Sequence, residues 1–248
     1  MFFDAIRGKL VIGYTTLFMI LGFCMFYLGQ DVSKSMISLL NMMLLLVPLI
    51  SIIIGAIHYY NSREFIEMLL AQPVKRSTIF WGEYLGVSVS LSAGFLVGLG
   101  IPIVAYGIDV TGVYILLTGM LLTFCFVAIA FLVSVLNNDK AKGIGASILT
   151  WFYFSVLYDG LLLFVLFLLN EYPLEKLVLI LGTLNPIDIA RIIVLLKMDI
   201  SALMGVTGAL FQQVFGNNSG MAVAVFILFL WTLFPVLMAL RIFKRKDF

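Results

Sequence analysis

The sequence predicts an all-α polytopic membrane protein. It has six transmembrane helices, an amphipathic cytoplasmic helix between the second and third, and an outer-face helical segment between the fifth and sixth. Three observations predict this. The 248-residue chain is 63% hydrophobic and only 11% charged, with a mean hydropathy of +1.16, whereas soluble domains are about one-quarter charged. Six stretches, near 10–28, 36–60, 79–106, 111–136, 144–169 and 220–240, reach the roughly 20 apolar residues that a bilayer core demands. Eleven of the fifteen lysines and arginines fall in 1–9, 61–78, 137–143 and 241–248; only Lys34, Lys176, Arg191 and Lys197 fall in the alternate connections. The positive-inside rule then places both termini in the cytoplasm, which requires an even number of spans. The chain reads as one domain, 1–248. Its basic residues, with a net charge of +2, are too few and scattered to track nucleic-acid phosphates.

The elements follow in order. Arg7 and Lys9 before an apolar run imitate a signal peptide, but the run is long for one and ends at Tyr27-Leu28-Gly29-Gln30 without a small-x-small site, so it reads as a first span. The second span leads into the 61–78 connection. With Phe65 at zero on a helical wheel, Ile66, Met68, Leu69 and Leu70 share one broad arc, and Arg63, Glu64 and Glu67 the other. That pattern is an amphipathic helix on a membrane surface, expected over 62–76. Gln72-Pro73 stops it, because proline cannot donate to a continuing helix. Lys75 and Arg76 then sit at headgroup level.

The third span carries Gly82, Gly86, Ser90, Gly94 and Gly98, each four apart. Small-xxx-small spacing lets backbones approach in lipid, either within one subunit or at a dimer seam. Glu83 begins this span near the headgroups. The fourth span is apolar throughout. Asp159 lies near the middle of the fifth. An intramembrane carboxylate is expensive, so it is a two-state contact or a polar patch between subunits, or else a neutral acid satisfied by Ser155 or another helix.

The 170–219 connection contains Leu177–Leu184 and Ile192–Leu196, both too short to span. Asn185-Pro186-Ile187-Asp188 reads as a helix start, with Asn as cap, Pro at the first position and Asp in the first turn. Ile189, Ile192, Ile193 and Leu196 keep one apolar face. The expectation is one or two helices lying on the outer leaflet, held by that face on the membrane or on neighbouring span ends, with Asp188 and Arg191 paired on the exposed face. Gly205, Gly208, Gly216, Asn217, Asn218 and Gly220 break the chain before the last span. The other outer connections, 29–35 and 107–110, are too short to present a surface. This segment is therefore the expected docking platform for an outer partner, through Asn185, Pro186, Asp188 and Arg191, against the alternative of a lid over the spans.

Catalytic and metal motifs are sparse. Cys24 and Cys125 show no pairing or metal spacing. His58 has no second ligand in sequence reach and no neighbouring carboxylate to serve a serine relay. The twelve methionines are scattered as apolar filler. No G-x-x-x-x-G-K-[ST] loop or H-E-x-x-H is present.

Six spans, an amphipathic first inner loop and the run Leu69-Leu70-Ala71-Gln72-Pro73-Val74-Lys75-Arg76 resemble the ABC-2 type permeases. Leu184-Asn185-Pro186-Ile187-Asp188-Ile189-Ala190-Arg191-Ile192, followed by the Gly-Val-Thr-Gly-Ala stretch at 205–209, resembles the NosY branch, membrane subunit of the ABC complex that helps assemble the copper centre of nitrous oxide reductase. The likeness departs at Glu83, where many relatives have lysine, near Arg63–Ile66, where a Glu-x-Gly-Thr run is missing, and at the short N-terminal arm.

The resemblance implies a bacterial inner-membrane subunit that carries no chemistry and no cofactor. ATP and Mg would sit on a separate ATPase. Two copies of this chain would ride on two ATPase subunits, contacted through Arg63, Glu64, Glu67, Lys75 and Arg76 and through Asn138, Asp139 and Lys140. A periplasmic accessory protein would complete the complex. The rival expectations are an ABC-2 exporter of a lipid, peptide or small molecule and, further off, an intramembrane enzyme or passive scaffold.

Overall fold

The computed structural model describes residues 9–29, 31–106, 109–168, 180–197 and 218–246, and the statements below concern these. The elements are α1 (Lys9–Gly29), α2 (Val32–Asn61), α3 (Arg63–Leu70), α4 (Arg76–Tyr106), α5 (Val110–Leu136) and α6 (Lys140–Phe152). A π-helical turn, Tyr153–Leu157, carries α6 into α7 (Tyr158–Leu168); α8 (Pro186–Leu195) and α9 (Asn218–Arg245) complete the chain. The described elements are all helical. Six units are long and apolar enough to cross a bilayer: Leu10–Gly29, Val32–Asn61, Arg76–Tyr106, Val110–Leu136, Lys140–Leu168 and Gly220–Arg245. They match the six apolar runs of the sequence and extend them by a few residues, since helices overhang the hydrocarbon.

An even number of spans brings the start of α1 and the end of α9 to one face, the terminal end. The side chains agree with this. A Cβ on Gly98 would stand 2.7 Å from the Thr15 carbonyl, and one on Gly22 would stand 2.8 Å from Pro102 Cγ, so α1 and α4 run parallel. Arg76, opening α4, donates to carbonyls at the end of α9.

α5 is the centre of the bundle, packed by α2, α4, α6, α8 and α9, while α1 leans on α4. In the third and fourth spans 67% of the most apolar stretch is buried within the chain; in the fifth only 6% is. Continuous apolar sequence is thus satisfied in two ways: α5 by its neighbours, and α6–α7 by whatever surrounds the chain. Near the terminal end, Tyr59, Phe80, Tyr84, Phe131 and Phe243 tie α2, α4, α5 and α9 through ring contacts of 5.5–5.9 Å. The edge-to-face geometry of most of these pairs suits the aromatic quadrupole.

The small-residue stripe of α4 splits into two. Gly94 and Gly98 meet α1: an added Cβ would lie 2.7 Å from Thr15 Oγ1 at Gly94, and 2.7 Å from the Thr15 carbonyl at Gly98. Ser90 donates to the Gly86 carbonyl at 2.6 Å. Gly82 and Gly86 face open space and line a groove with Ser77, Thr78, Trp81 and Leu85. Intrachain packing therefore accounts for the far half of the stripe, where two backbones meet, and not for the half near the terminal end.

The largest correction concerns α8. It does not lie on a surface. Pro186, Ile187, Asp188, Ile189, Ala190, Ile192, Ile193 and Val194 are all buried. Asn185, just before it, reaches the carbonyl of Phe154, the fifteenth residue of the 29-residue fifth span. Trp231, in the middle of α9, donates to the Thr183 carbonyl at 3.1 Å. Lys197, just past α8, lies over the Tyr114 ring at the far end of α5. So α8 is a half-helix that starts in mid-bundle and climbs to the far end. Its one-face periodicity reads the same whether the face meets lipid headgroups or span flanks. What distinguishes α8 is that its remaining face is also mostly apolar. Residues 169–179 and 198–217, with Gly205, Gly208, Gly216 and Asn217, lie outside the described residues.

Candidate coupling surface and intramembrane polar site

Two polar constellations stand out in an apolar bundle. The first is at the terminal end. α3 is eight residues long, shorter than the expected 62–76. Ala71, Gln72 and Pro73 form the turn that ends it, and Lys75 leads into α4, whose first residue is Arg76. Ile66 is fully buried, with Leu69 and Leu70 packed against the core, while Glu64, Phe65, Glu67 and Met68 are exposed. The amphipathic arc therefore divides: its Ile66 side is pinned to the bundle, and Phe65 and Met68 remain free for headgroups or a partner.

The chain holds α3 in place from three sides. Arg63 donates to Glu67 Oε1 at 3.1 Å and to the Asn138 carbonyl at 3.0 Å. Lys140 donates to Asn61 Oδ1 at 2.8 Å, and the Tyr60 hydroxyl to the Asn137 carbonyl at 3.0 Å. The connection 137–139 and the α3 base thus form one piece. Asp139 caps α6, accepting the Lys142 amide hydrogen at 2.9 Å, and this bond holds its carboxyl below the ordinary carboxylate value. At the chain's end Lys246 donates to the Val135 carbonyl at 2.7 Å, and burial pushes its ammonium below the usual lysine value. Arg76 closes the ring by donating to the carbonyls of Lys244 and Lys246. Of the expected contact residues, Glu64, Glu67, Lys75, Asn138, Asp139 and Lys140 are exposed together on this end. Arg63 and Arg76 are engaged inside the chain.

Sequence reasoning missed the pair beneath α3. Glu83 is the eighth residue of α4, level with the last turn of α2, and is only 5% exposed. His58 Nε2 lies 2.7 Å from Glu83 Oε2 and 3.3 Å from Ser62 Oγ. A carboxylate, a histidine and a serine therefore do meet, contrary to expectation. Both partners use the same ring nitrogen, however, whereas a nucleophile relay needs serine on one nitrogen and acid on the other. The trio ties the end of α2 to α4 at the root of α3. The signal was available in part: a buried acid demands a partner, and His58 and Glu83 stand at the same level of adjacent spans.

The second constellation is inside the bundle. Asn185 is fully buried and uses both of its amide hydrogens and one of the two lone pairs of its oxygen. Its Oδ1 accepts from the Ile187 amide, capping α8, and its Nδ2 donates to the Phe154 carbonyl and to Asp188 Oδ2, all at 3.0 Å. The π-helical turn displaces the carbonyls of Tyr153–Leu157 from α-helical register, and Asn185 satisfies one of them. Pro186 follows at the first helical position, where no amide is needed.

Arg191 then stands between two acids, 3.0 Å from Asp188 and 3.3 Å from Asp159. The expected Asp188–Arg191 pair exists, but Asp188 is buried rather than on an exposed face. Asp159 finds its partner in Arg191 rather than in Ser155, whose hydroxyl is buried without a partner. Asp159 is nine residues before the end of its span, in the far half rather than the middle. An isolated charge at the bilayer centre costs about 2.5–3.5 kcal/mol on insertion scales, and the mutual pairing offsets this for both ions. Among the described residues no group of three His, Cys, Asp or Glu side chains is arranged to hold a metal ion.

The family of ABC-2 family transporter proteins matches residues 2–248. Over 98% of this chain and 95% of the relative, the sequence is 27% identical to the "Probable ABC transporter permease protein NosY" of Stutzerimonas stutzeri. It is 26% identical, over 82% of each chain, to the protein of that name from Pseudomonas aeruginosa.

Proposed function

The chain is a member of the ABC-2 transporter family, and on that premise we propose that it couples a separate ATPase to an extracytoplasmic task, the assembly of the copper centre of nitrous oxide reductase. The permease role belongs to the family. The finer reading is supported by the two NosY relatives, which align along most of the chain. In this account the chain works as two copies in a bacterial inner membrane, with the terminal end in the cytoplasm. ATP and Mg are held by the ATPase chains, and the permease performs no chemistry.

The observation that carries the coupling role is the unit built from α3, the 137–139 connection and the end of α9. A helix that merely rested on headgroups would need only its apolar face. This one is bonded through Arg63 to the Asn138 carbonyl and rooted on the His58–Glu83 pair. A push on α3 therefore reaches the ends of α2, α4 and α5 together. From α5 the path leads to α8, which packs directly on it, and so to the far end, where a periplasmic partner would dock. Asn185, Pro186 and Asp188 are buried in mid-bundle, so in this account they hold α8 in place rather than touch the partner.

The test is charge reversal on the exposed face. Glu64→Lys with Glu67→Lys leaves Ile66 and the apolar face untouched. It should retain insertion and reduce ATPase copurification by at least tenfold. Unchanged association and ATP turnover would remove the coupling role. An ABC-2 exporter of a lipid, peptide or small molecule uses the same coupling surface. The two readings separate at the far end, by whether a periplasmic copper-handling protein copurifies. An intramembrane enzyme or passive scaffold predicts no ATPase at all.

A further inference from the structure

We infer that the far half of the fifth span is the seam with a second copy of this chain, and that the Asp159–Arg191 pair is shared across it. The inference rests on the two-copy reading above and adds where the copies meet and through which charges. Apolar exposure alone says nothing in a membrane, because lipid accepts leucine on any face. Exposed charge is different. After meeting each other, Arg191 and Asp159 each remain 37% exposed. Asp159 lies about 14 Å along the helix from the end of its span, at 1.5 Å per residue. Hydrocarbon cannot cover an open ion pair at that depth.

Among the described residues this is the one place where the bundle presents such a problem. The first and fourth spans, among the described residues, carry no charged side chain, and in the second and sixth the lysines and arginines are confined to the ends, at Lys34 and at Arg241, Lys244 and Arg245. Glu83 in the third is buried and bonded to His58.

The exposed stripe continues from Asp159 to Leu163 and Phe167, at i, i+4 and i+8, with Leu163 at 66% and Phe167 at 76% exposure. Gly160 beside it has open space where a Cβ would stand. The fifth span also buries the least against its own chain. The patch is self-complementary in charge. A two-fold interface sets residue i against j and j against i, so the partner's Arg191 meets Asp159 while the partner's Asp159 meets Arg191. A patch of one sign would repel its copy; a patch with one of each attracts it. Asp188, held by Asn185 behind Arg191, keeps the guanidinium from leaving the half-helix.

The experiment uses the full-length chain in its own membranes, in a Cys24→Ser, Cys125→Ala background. Leu163→Cys and Phe167→Cys are treated with a short bis-thiosulfonate reagent, with Phe226→Cys on the exposed face of α9 as comparison. The expected result is a covalent dimer from the first two and at least tenfold less from the third. Native mass of the untreated chain is read separately. A two-copy mass with no bridging at Leu163 and Phe167 overturns the seam and leaves the two-copy reading standing; a one-copy mass overturns both. Labelling of Leu163→Cys by an impermeant reagent without bridging identifies a water-lined chamber and overturns the seam. The charge exchange has its own arm. Differently tagged Asp159→Arg and Arg191→Asp chains each lose the intrachain pair, yet match each other across the seam. Coexpressed, they should form mixed pairs several-fold over like pairs; equal yields would overturn the exchange.

Discussion

Replacing Asn185 by alanine tests the half-helix most sharply, because this side chain has no exposure and three partners. Loss of the cap to the Ile187 amide costs about 1 kcal/mol. The Phe154 carbonyl, left without its donor in a buried site, costs about 1–3 kcal/mol more. Asp188 loses one bond but retains Arg191, so its share is smaller, on the order of 0.5–1 kcal/mol. The expected total is about 2.5–5 kcal/mol, with no discount for solvent. Asn185→Ser restores only the cap and should recover about 1 kcal/mol of it. In an Asp188→Ala background the alanine change should cost measurably less, since contacting residues couple. Reversible unfolding by steric trapping in bicelles reads these differences directly. A loss of only about 1 kcal/mol for Asn185→Ala is what a surface helix with a simple cap would give; that result would refute the buried half-helix.

Three further outcomes follow from the geometry. Gly98→Ala drives a Cβ to 2.7 Å from the Thr15 carbonyl and should destabilise the chain by about 1–3 kcal/mol, whereas Gly86→Ala, in open space, should be neutral or gain up to about 1 kcal/mol from helix propensity; equal effects in a melting comparison would contradict the α1–α4 packing. Asp139 titrates below its ordinary value because it takes the Lys142 amide hydrogen, so its contribution to stability is present above the unfolded carboxylate value and is lost as pH falls through the lowered one; Asp139→Asn should melt with a weaker acid dependence than the parent, and identical acid curves would contradict the cap. With the terminal end in the cytoplasm, Ser33→Cys should react with an impermeant thiol reagent from outside and Asn138→Cys should not, and the reverse pattern would invert the orientation.

Some of this architecture was plain in the sequence. Six apolar runs of spanning length leave few alternatives, since nothing shorter satisfies a bilayer. Pro73 and the two-sided wheel of Arg63–Leu70 gave α3, and Asn185-Pro186 gave the start of α8 to the residue. The misplacements share a cause. Periodicity reports which residues of one helix share a face, and it is silent on what that face meets. Ile189, Ile192, Ile193 and Leu196 would look the same on a leaflet or wedged between α5 and α9. The stronger clue was charge. Asp159 and Arg191 are each costly at depth alone and inexpensive together, and the same holds for Glu83 and His58. Matching ions across distant segments would have brought α8 into the bundle. The bonds from Arg63, Lys140, Lys246 and Arg76 to oxygens at helix ends and in the 137–139 connection had no sequence signal, because three of the four cations donate to backbone carbonyls, which every residue carries.

The most direct measurement is photocrosslinking from Met68, which is 62% exposed on α3 and touches none of the bonds that hold the helix. A photoreactive phenylalanine analogue at Met68 is activated in native membranes and the adducts are identified by mass spectrometry. The account predicts an adduct with a separate chain that carries a G-x-x-x-x-G-K-[ST] nucleotide loop, lost when Glu64 and Glu67 are reversed to lysine. An adduct with lipid alone, in membranes where the ATPase is present, would contradict it.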